Sequence, residues 1–78
     1  MPKAYILINC KSGNETLVAA TIKSIEDVLT CSIVYGVYDI IVEILFDKIG
    51  DLEDIIQNRI RKIINIQSTM TLIPYDFN

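Results

Sequence analysis

The sequence predicts an α+β fold of the ferredoxin-like kind, with its elements in the order βαββαβ. Gly36 separates two runs that are dense in β-branched and aromatic residues, which indicates a tight hairpin turn. A strand–helix unit precedes this hairpin, and a helix–strand unit follows it. Two right-handed βαβ crossovers joined by a hairpin place four antiparallel strands in the order 4-1-3-2, with both helices on one face of the sheet.

The four strands are predicted from apolar runs and from alternation. Residues 3–10 form a mostly apolar run, typical of a central strand that is covered on both faces. Residues 28–35 and 38–46 alternate on either side of the turn. Residues 66–73 alternate again before Pro74, which ends the strand because proline has no amide hydrogen to donate.

The two helices are predicted from capping signals and apolar spacing. Ser12 and Glu15 have the Ser-x-x-Glu spacing of a capping box, so the first helix should begin there and run to about Ser24. The second helix should open at Gly50 and Asp51, with acidic residues at its start and basic residues near its end, the order that complements the helix dipole. Its predicted apolar side consists of Leu52, Ile55, Ile56, Ile60, Ile63 and Ile64.

Alternation also assigns the strand residues to two faces. One face of the hairpin is predicted to be wholly apolar and to carry Leu29, Cys31, Ile33, Tyr35, Ile40, Val42, Ile44 and Phe46. The sheet face without helices is predicted to carry Thr30, Ser32, Ile41, Glu43, Leu45, Gln67, Thr69 and Thr71. This second set is too apolar in its middle for free solvation and is also rich in hydroxyls. We therefore expect it to form an interface with a second copy of the chain.

Composition favours one self-associating domain over residues 1–78. Hydrophobic residues make up 51% of the chain, whereas so small a domain buries only about 60% of the surface of its unfolded chain. Part of the surplus is expected to be buried against another subunit. No run approaches the ~18 apolar residues of a membrane-spanning helix, and no secretion signal precedes the first strand, so we expect a cytoplasmic protein that contacts no membrane.

Charge and residue types exclude several functions. The net charge of −3 provides no positive field for phosphates, which argues against direct nucleic-acid binding. The chain has no histidine, the commonest general base and metal ligand near neutral pH. Neither a Cys-x-x-Cys pair nor a glycine-rich phosphate loop occurs, and Cys10 and Cys31 are expected to stay reduced. We therefore expect no catalytic residue, no metal and no cofactor.

Tyr38 and Asp39, beside the turn glycine, are an unusual pair. A carboxylate at the mouth of a hairpin is well placed to accept a hydrogen bond from a ligand's ammonium or from a partner's backbone N–H. The alternative is that Asp39 braces its own turn, as Asx residues commonly do. The residues alone leave both roles open.

The hairpin and the last strand together resemble a known family. Gly36, Tyr38 and Asp39 match the Gly-x-Tyr-Asp hairpin of the effector-binding (RAM) domain of the Lrp/AsnC, or feast/famine, regulators. Thr69 and Thr71 match the Thr-x-Thr of its final strand, and the resemblance extends over essentially the whole chain. Members usually carry a DNA-reading helix-turn-helix ahead of this domain, so the sequence resembles a stand-alone form without it.

The resemblance implies a non-enzymatic, oligomeric sensor of amino acids. Members of the family pair through their sheets into dimers, often assemble into octamers of four dimers, and bind an amino acid between dimers near the hairpin. A full-length Lrp/AsnC regulator is a further implied partner, through mixed oligomers. Asp39 would hold the α-ammonium or order the loop, and hydroxyls would take the carboxylate. The implied ligand-binding residues are Gly36, Val37, Tyr38, Asp39, Ser68, Thr69, Met70 and Thr71.

Two other functions stay open at this point. The first is a small enzyme built as a dimeric α+β barrel, for which Asp39 and Glu43 are the acids that the chain offers. The second is a module that oligomerises and binds no ligand.

Overall fold

A computed structural model describes residues 2–75 and confirms the predicted fold and element order. The four strands are antiparallel and lie side by side in the order β2-β3-β1-β4, which is the predicted order. The elements are β1 (Lys3–Cys10), α1 (Glu15–Lys23), β2 (Val28–Ile33), β3 (Ile40–Leu45), α2 (Ile49–Asp54, continued by a π-helical segment, Ile55–Ile60) and β4 (Ile66–Leu72).

The core lies between one face of the sheet and the two helices. Along β1 and β3, residues alternate between buried and half-buried, so each central strand points every second side chain into the core. No polar or charged residue of the described part is buried in this core. Its members are Ala4, Ile6, Ile8, Cys10, Val18, Ala19, Ile22, Ile25, Cys31, Ile40, Val42, Ile44, Phe46, Leu52, Ile55, Ile56 and Ile60.

The start of α1 differs from the capping-box prediction, which is wrong. The helix begins at Glu15, and Asn14 rather than Ser12 occupies the N-cap position, where its side chain makes no capping bond. The reason is a turn that precedes the helix. Gly13 has a φ of +88°, and the Asn14 N–H donates to the Lys11 carbonyl over 3.1 Å.

The second half of α2 is wider than a regular α-helix. The Arg61 N–H donates to the Ile56 carbonyl over 2.8 Å, a bond between residues five apart, as in a π-helix. The wider turn places Ile55 and Ile60, which are also five apart, on the same side of the helix. Both are buried in the core.

The predicted continuation of α2 through Ile63 and Ile64 is wrong. The helix ends at Ile60, and the chain then turns into β4. Asn65 adopts a φ of 77°, a left-handed conformation that asparagine tolerates better than most residues and that a helix cannot continue. Ile64 is consequently 76% exposed.

A β-bulge changes the predicted faces of β2. Val28 pairs with Ile44 and Thr30 pairs with Glu43, so Leu29 is an extra residue in this strand. Val28 therefore packs against the core, and Leu29 is half exposed. The assignment of Leu29 to the apolar face is wrong. Tyr35 belongs to the loop rather than to that face.

The register of β4 reverses the predicted positions of its threonines. Thr69 pairs with Ile8 and Thr71 with Ile6, and paired residues point to the same face, so both threonines lie on the helix side. Their assignment to the face without helices is wrong. The edge position of β4 explains why hydroxyls are tolerated there, because Thr69 is only half-buried and Thr71 is exposed.

The face without helices, here called the open face, is defined by the strand pairing. It carries Lys3, Tyr5, Leu7, Asn9, Thr30, Ser32, Ile41, Glu43, Leu45, Ser68, Met70 and Leu72. Five of the residues predicted for the interface are therefore on the expected face, and their role in self-association stays a prediction. Among the described residues, no helix has both the length and the apolar character to cross a membrane.

Candidate ligand site at the hairpin end of the sheet

The hairpin loop projects from the end of the sheet where β1 also ends. The Val34 N–H donates to the Asp39 carbonyl over 2.9 Å and closes the loop. Tyr35 and Val37 are fully exposed at its tip, with exposed fractions of 106% and 86%. Gly36 between them has a φ of +147°, a conformation that L-residues rarely adopt, although no atom of the described chain lies within 4 Å of the place where a Cβ would stand. The glycine is therefore required by backbone conformation rather than by space.

Asp39 ties the base of this hairpin to β1. Its N–H donates to the Ile8 carbonyl over 3.0 Å, and its Oδ2 accepts the backbone N–H of Cys10 over 2.9 Å. The Cys10 amide lies where the register between β1 and β4 shifts, next to Asn9. Asp39 thus braces a neighbouring strand as well as its own turn.

Tyr38 crosses the open face from the hairpin to β4. Its hydroxyl lies 3.4 Å from the Sδ of Met70 and donates a weak hydrogen bond to it. Because β1 lies between β3 and β4, this contact spans β1 on the open side. An aromatic ring, a hydroxyl and a polarisable thioether therefore meet beside the hairpin.

Asn9 and Ser68 form a second polar pair at the same end of the open face. The Asn9 Nδ2 donates to the Ser68 Oγ over 3.3 Å, in an exposed position. Asn9 is not among the ligand residues predicted from sequence. The signal that points to it is a polar residue near the end of an otherwise apolar central strand.

The loops that flank β1 and β4 are joined at this end too. The Lys11 N–H donates to the Asn65 backbone carbonyl over 2.8 Å, and the Asn65 side-chain Nδ2 donates to the Asn14 Oδ1 over 3.3 Å. Burial raises the pKa of the nearby Cys10 thiol, and the negative charges of Asp39 and Glu15 raise it further. The thiol is therefore protonated at neutral pH. One oxygen of Glu15, Oε1, is buried and has no hydrogen-bond partner among residues 2–75.

The structure brings some of the predicted ligand residues together and separates others. Gly36 and Val37 form the exposed tip, and Tyr38 contacts Met70. Ser68 lies on the same open face. Thr69 and Thr71 lie on the other side of β4, so Ser68 is the hydroxyl residue of the predicted β4 set that shares the open face with the Tyr38–Met70 contact. Whether each of these residues contacts a ligand stays a prediction.

A different polar group occupies the opposite end of the open face. Glu43 accepts a hydrogen bond from the Thr30 hydroxyl through Oε1, over 2.9 Å, and its Oε2 lies 3.5 Å from the Lys3 ammonium. Both carboxylate oxygens of Glu43 thus have partners within the chain. In the part of the chain that the structure describes, no group of three or more cysteine, aspartate or glutamate side chains is arranged to hold a metal ion.

Solved structures share this fold and, in part, this sequence. The crystal structure of FFRP-DM1 has 36% identity and a TM-score of 0.90, covering 96% of this chain and 100% of that one. A protein of Pyrococcus horikoshii, PHS023, has 35% identity and a TM-score of 0.90, with coverages of 99% and 93%. Escherichia coli AsnC has 29% identity and a TM-score of 0.90, and 96% of this chain matches 51% of AsnC. The chain thus spans about half the length of AsnC.

A more distant structure shares the fold and contains a ligand. It is a feast or famine regulatory protein from Mycobacterium tuberculosis in complex with L-methionine, with 23% identity and a TM-score of 0.79, covering 99% of this chain and 52% of that one. No curated protein matches this sequence.

The match to a family model covers nearly the whole chain. The model of the Lrp/AsnC ligand binding domain matches residues 3–76, which include the hairpin, the open face and β4. Together with the 36% identity to FFRP-DM1, this match shows that the chain belongs to the Lrp/AsnC ligand-binding domain family.

Proposed function

We propose that this chain is an amino-acid-sensing and self-associating module of an Lrp/AsnC-type regulatory system. The observation that supports this best is the hairpin end of the open face, where hydrogen-bonding groups and apolar side chains are exposed together. Tyr38 reaches Met70 there, and Met70 is about half exposed, at 47%. An amino acid needs polar partners for its carboxylate and ammonium and apolar contacts for its side chain.

The chemistry of this region favours a ligand with an uncharged side chain. Leu7 pairs with Met70 on one side and with Ile41 on the other, so the surface beside Tyr38 is apolar. The ion pair of the open face, Lys3 with Glu43, lies at the opposite end of the sheet. An aliphatic or thioether side chain therefore fits better than an ionised one. The L-methionine bound by the M. tuberculosis relative makes methionine the first ligand to test.

The same proposal includes pairing of two copies through their open faces. Ile41 and Leu45 lie half-buried on β3, one of the two central strands of this face, and a second copy would bury them fully. The exposed hairpin tip, with Tyr35 and Val37, would then be available to close a ligand pocket between copies. Octamers, and mixed oligomers with a full-length regulator, are the larger assemblies that we propose. These 78 residues carry a net charge of −3, so DNA contact would come from such a partner.

Calorimetric titration with each common amino acid tests ligand sensing. We expect one or a few uncharged amino acids, L-methionine among the first, to bind and to raise the melting temperature. A ligand at a hundredfold excess over its Kd stabilises the folded state by about 2.7 kcal/mol. If no amino acid gives heat or a shift in melting temperature, ligand sensing is wrong, and a module that only oligomerises becomes the better description.

Two neighbouring residues of β4 provide matched variants for the location of the site. Met70 is on the open face and Thr71 is on the helix side, and both are exposed. Met70→Ala should weaken binding by about tenfold, equivalent to 1.4 kcal/mol, whereas Thr71→Ala should bind normally. The opposite result would place the ligand on the helix side of β4, as the Thr-x-Thr prediction implies.

A further inference from the structure

The bonds of Asp39 point to a role that differs from direct ligand binding. We propose that the Asp39 carboxylate is a positioning group, which fastens the hairpin to the end of β1 and does not form an ion pair with the ligand's ammonium. The proposal rests on the proposed function only where ligand binding is measured. Its structural part concerns the hairpin alone.

The first argument is that three polar groups of Asp39, its Oδ2, its backbone N–H and its carbonyl, are already engaged within the chain. Oδ2 accepts the Cys10 N–H over 2.9 Å, which is ordinary length for an N–H···O bond. The Asp39 N–H and carbonyl are used as well, by Ile8 and Val34. Asp39 thus makes three hydrogen bonds within the chain.

The second argument is that the accepted amide has little access to water. Cys10 is 5% exposed, and its amide lies at the register shift between β1 and β4. A buried amide that loses its acceptor is unfavourable, because water cannot replace the bond. Turning the carboxylate away to hold an ammonium would therefore be opposed by the fold.

The third argument concerns what holds the hairpin in place. Within residues 2–75, the hydrogen bonds between the segment 34–39 and β1 are the two made by Asp39, to Ile8 and from Cys10. The tip itself is fully exposed at Tyr35 and Val37. Asp39 is consequently the link between the tip and β1, beside the Tyr38–Met70 contact with β4, and any ligand held by the tip depends on the direction that these contacts set.

Asparagine separates the positioning role from the charge role. Asp39→Asn keeps an oxygen that can accept the Cys10 N–H but removes the negative charge. Asp39→Ala removes both. A positioning residue should be rescued by asparagine, and an ammonium ligand should not.

The bond between Asp39 and the Cys10 amide is here called the clamp. The thiol of Cys10 reports on this clamp without any ligand. In a Cys31→Ala background, Cys10 is the one remaining cysteine, and its reaction with a disulfide reagent measures opening of the β1 end. We expect Asp39→Ala to raise the labelling rate by about tenfold and Asp39→Asn to stay within about threefold of the Asp39 protein. Ile44→Val, a mild core substitution at the far end of β3, controls for general loss of stability.

Equal labelling of the Asp39, alanine and asparagine proteins would overturn the clamp. So would an asparagine variant that labels as fast as the alanine variant. If the alanine variant does not fold, the asparagine variant decides on its own, since slow labelling supports positioning and fast labelling contradicts it.

Titration with L-methionine, or with whichever amino acid binds the unmodified protein, provides the second measurement. We expect Asp39→Asn to retain Kd within about threefold, which is less than 1 kcal/mol. A loss of about thirtyfold or more with unchanged thiol labelling would show that the charge serves the ligand, and the proposal would be wrong. If no amino acid binds the unmodified protein, the proposed function fails, and thiol labelling still tests the clamp.

Discussion

The two faces of the sheet arise from the same alternation of residues but differ in burial and in polar contacts. On β1, Ile6 and Ile8 are fully buried beneath the helices, whereas the adjacent Tyr5 and Leu7 on the open face are only half-buried. The helix side buries no polar residue of the described chain. The open face instead combines half-exposed apolar side chains with four polar contacts, two at Glu43, one at Ser68 and one at Tyr38.

This difference shows which face of the sheet forms the core of the chain, and it favours the open face as the surface for the proposed self-association. A wholly apolar face is stabilised by packing alone, and it is complete within one chain. A face with satisfied polar groups between apolar ones stays hydrated in one chain and gains most when a complementary surface covers it. The variants below separate the two faces, from the largest expected effect to the smallest.

Matched alanine substitutions in β1 should give the largest difference. Ile6→Ala removes a fully buried side chain and should lower the free energy of unfolding by about 2–5 kcal/mol. Leu7→Ala, one residue along on the open face, should cost clearly less in a single chain. Denaturant unfolding at several protein concentrations measures both. Equal losses that do not depend on concentration would contradict the distinction between the faces.

A charge placed on the open face should prevent self-association without unfolding the chain. Ile41→Glu puts a carboxylate in the middle of that face, and an unpaired charge in an interface costs about 3–5 kcal/mol, a weakening of more than a hundredfold. Leu17→Glu on the exposed side of α1, where Leu17 is 61% exposed, is the matched control. Sedimentation should show a single chain for the first variant and an oligomer for the second. A protein that sediments as one chain before any substitution would contradict pairing through the open face.

Replacing the hairpin glycine should lower stability less than the substitutions above, and it tests the backbone conformation of the loop. Gly36→Ala places a side chain at a φ of +147°, which should destabilise the folded state by more than about 1 kcal/mol. Val37→Ala next to it, at an exposed position with no such conformation, should have little effect on stability. Thermal unfolding of the two variants compares them. Equal melting temperatures would show that the loop adopts another conformation without cost.

The buried thiols should make stability depend on alkaline pH, which is the smallest effect. Burial raises the pKa of Cys10 and of Cys31 above the ordinary value of 9.0. Between the ordinary and the raised pKa, the folded state holds protons that the unfolded state has lost, so the free energy of unfolding falls as pH rises above about 9. Below that range the thiols contribute no pH dependence.

A double variant isolates the thiols from the tyrosines and lysines that titrate in the same range. Denaturant midpoints at pH 7, 9 and 10 should fall less steeply for Cys10→Ala with Cys31→Ala than for the unmodified protein. Parallel pH dependences for the two proteins would rule out the contribution of the thiols.

Much of the fold follows from local patterns in the sequence. The apolar run at residues 3–10 and the glycine-centred hairpin predict β1, β2 and β3 closely, because strand periodicity and turn chemistry are properties of neighbouring residues. The bulge at Leu29 and the register of β4 are not local. They depend on how strands distant in sequence pair, and so the faces of Leu29, Thr69 and Thr71 were not predictable by counting alternate positions.

The candidate site could also be predicted from the sequence only in part. The importance of Tyr38 and Asp39 could be predicted from their place beside the turn and from the family resemblance. Their partners could not, because Tyr38 meets Met70 across 32 positions of sequence and Asp39 meets Cys10 across 29. Both contacts are produced by the strand order, which brings β1 between β3 and β4.

The π-helical segment has a consequence for the length of the chain. Removing one exposed residue, Gln57, would change the buried set Leu52, Ile55, Ile56 and Ile60 to the spacing i, i+3, i+4 and i+7. That spacing is the regular apolar stripe of an α-helix. A version of the chain without Gln57 should therefore keep the same core under a narrower helix.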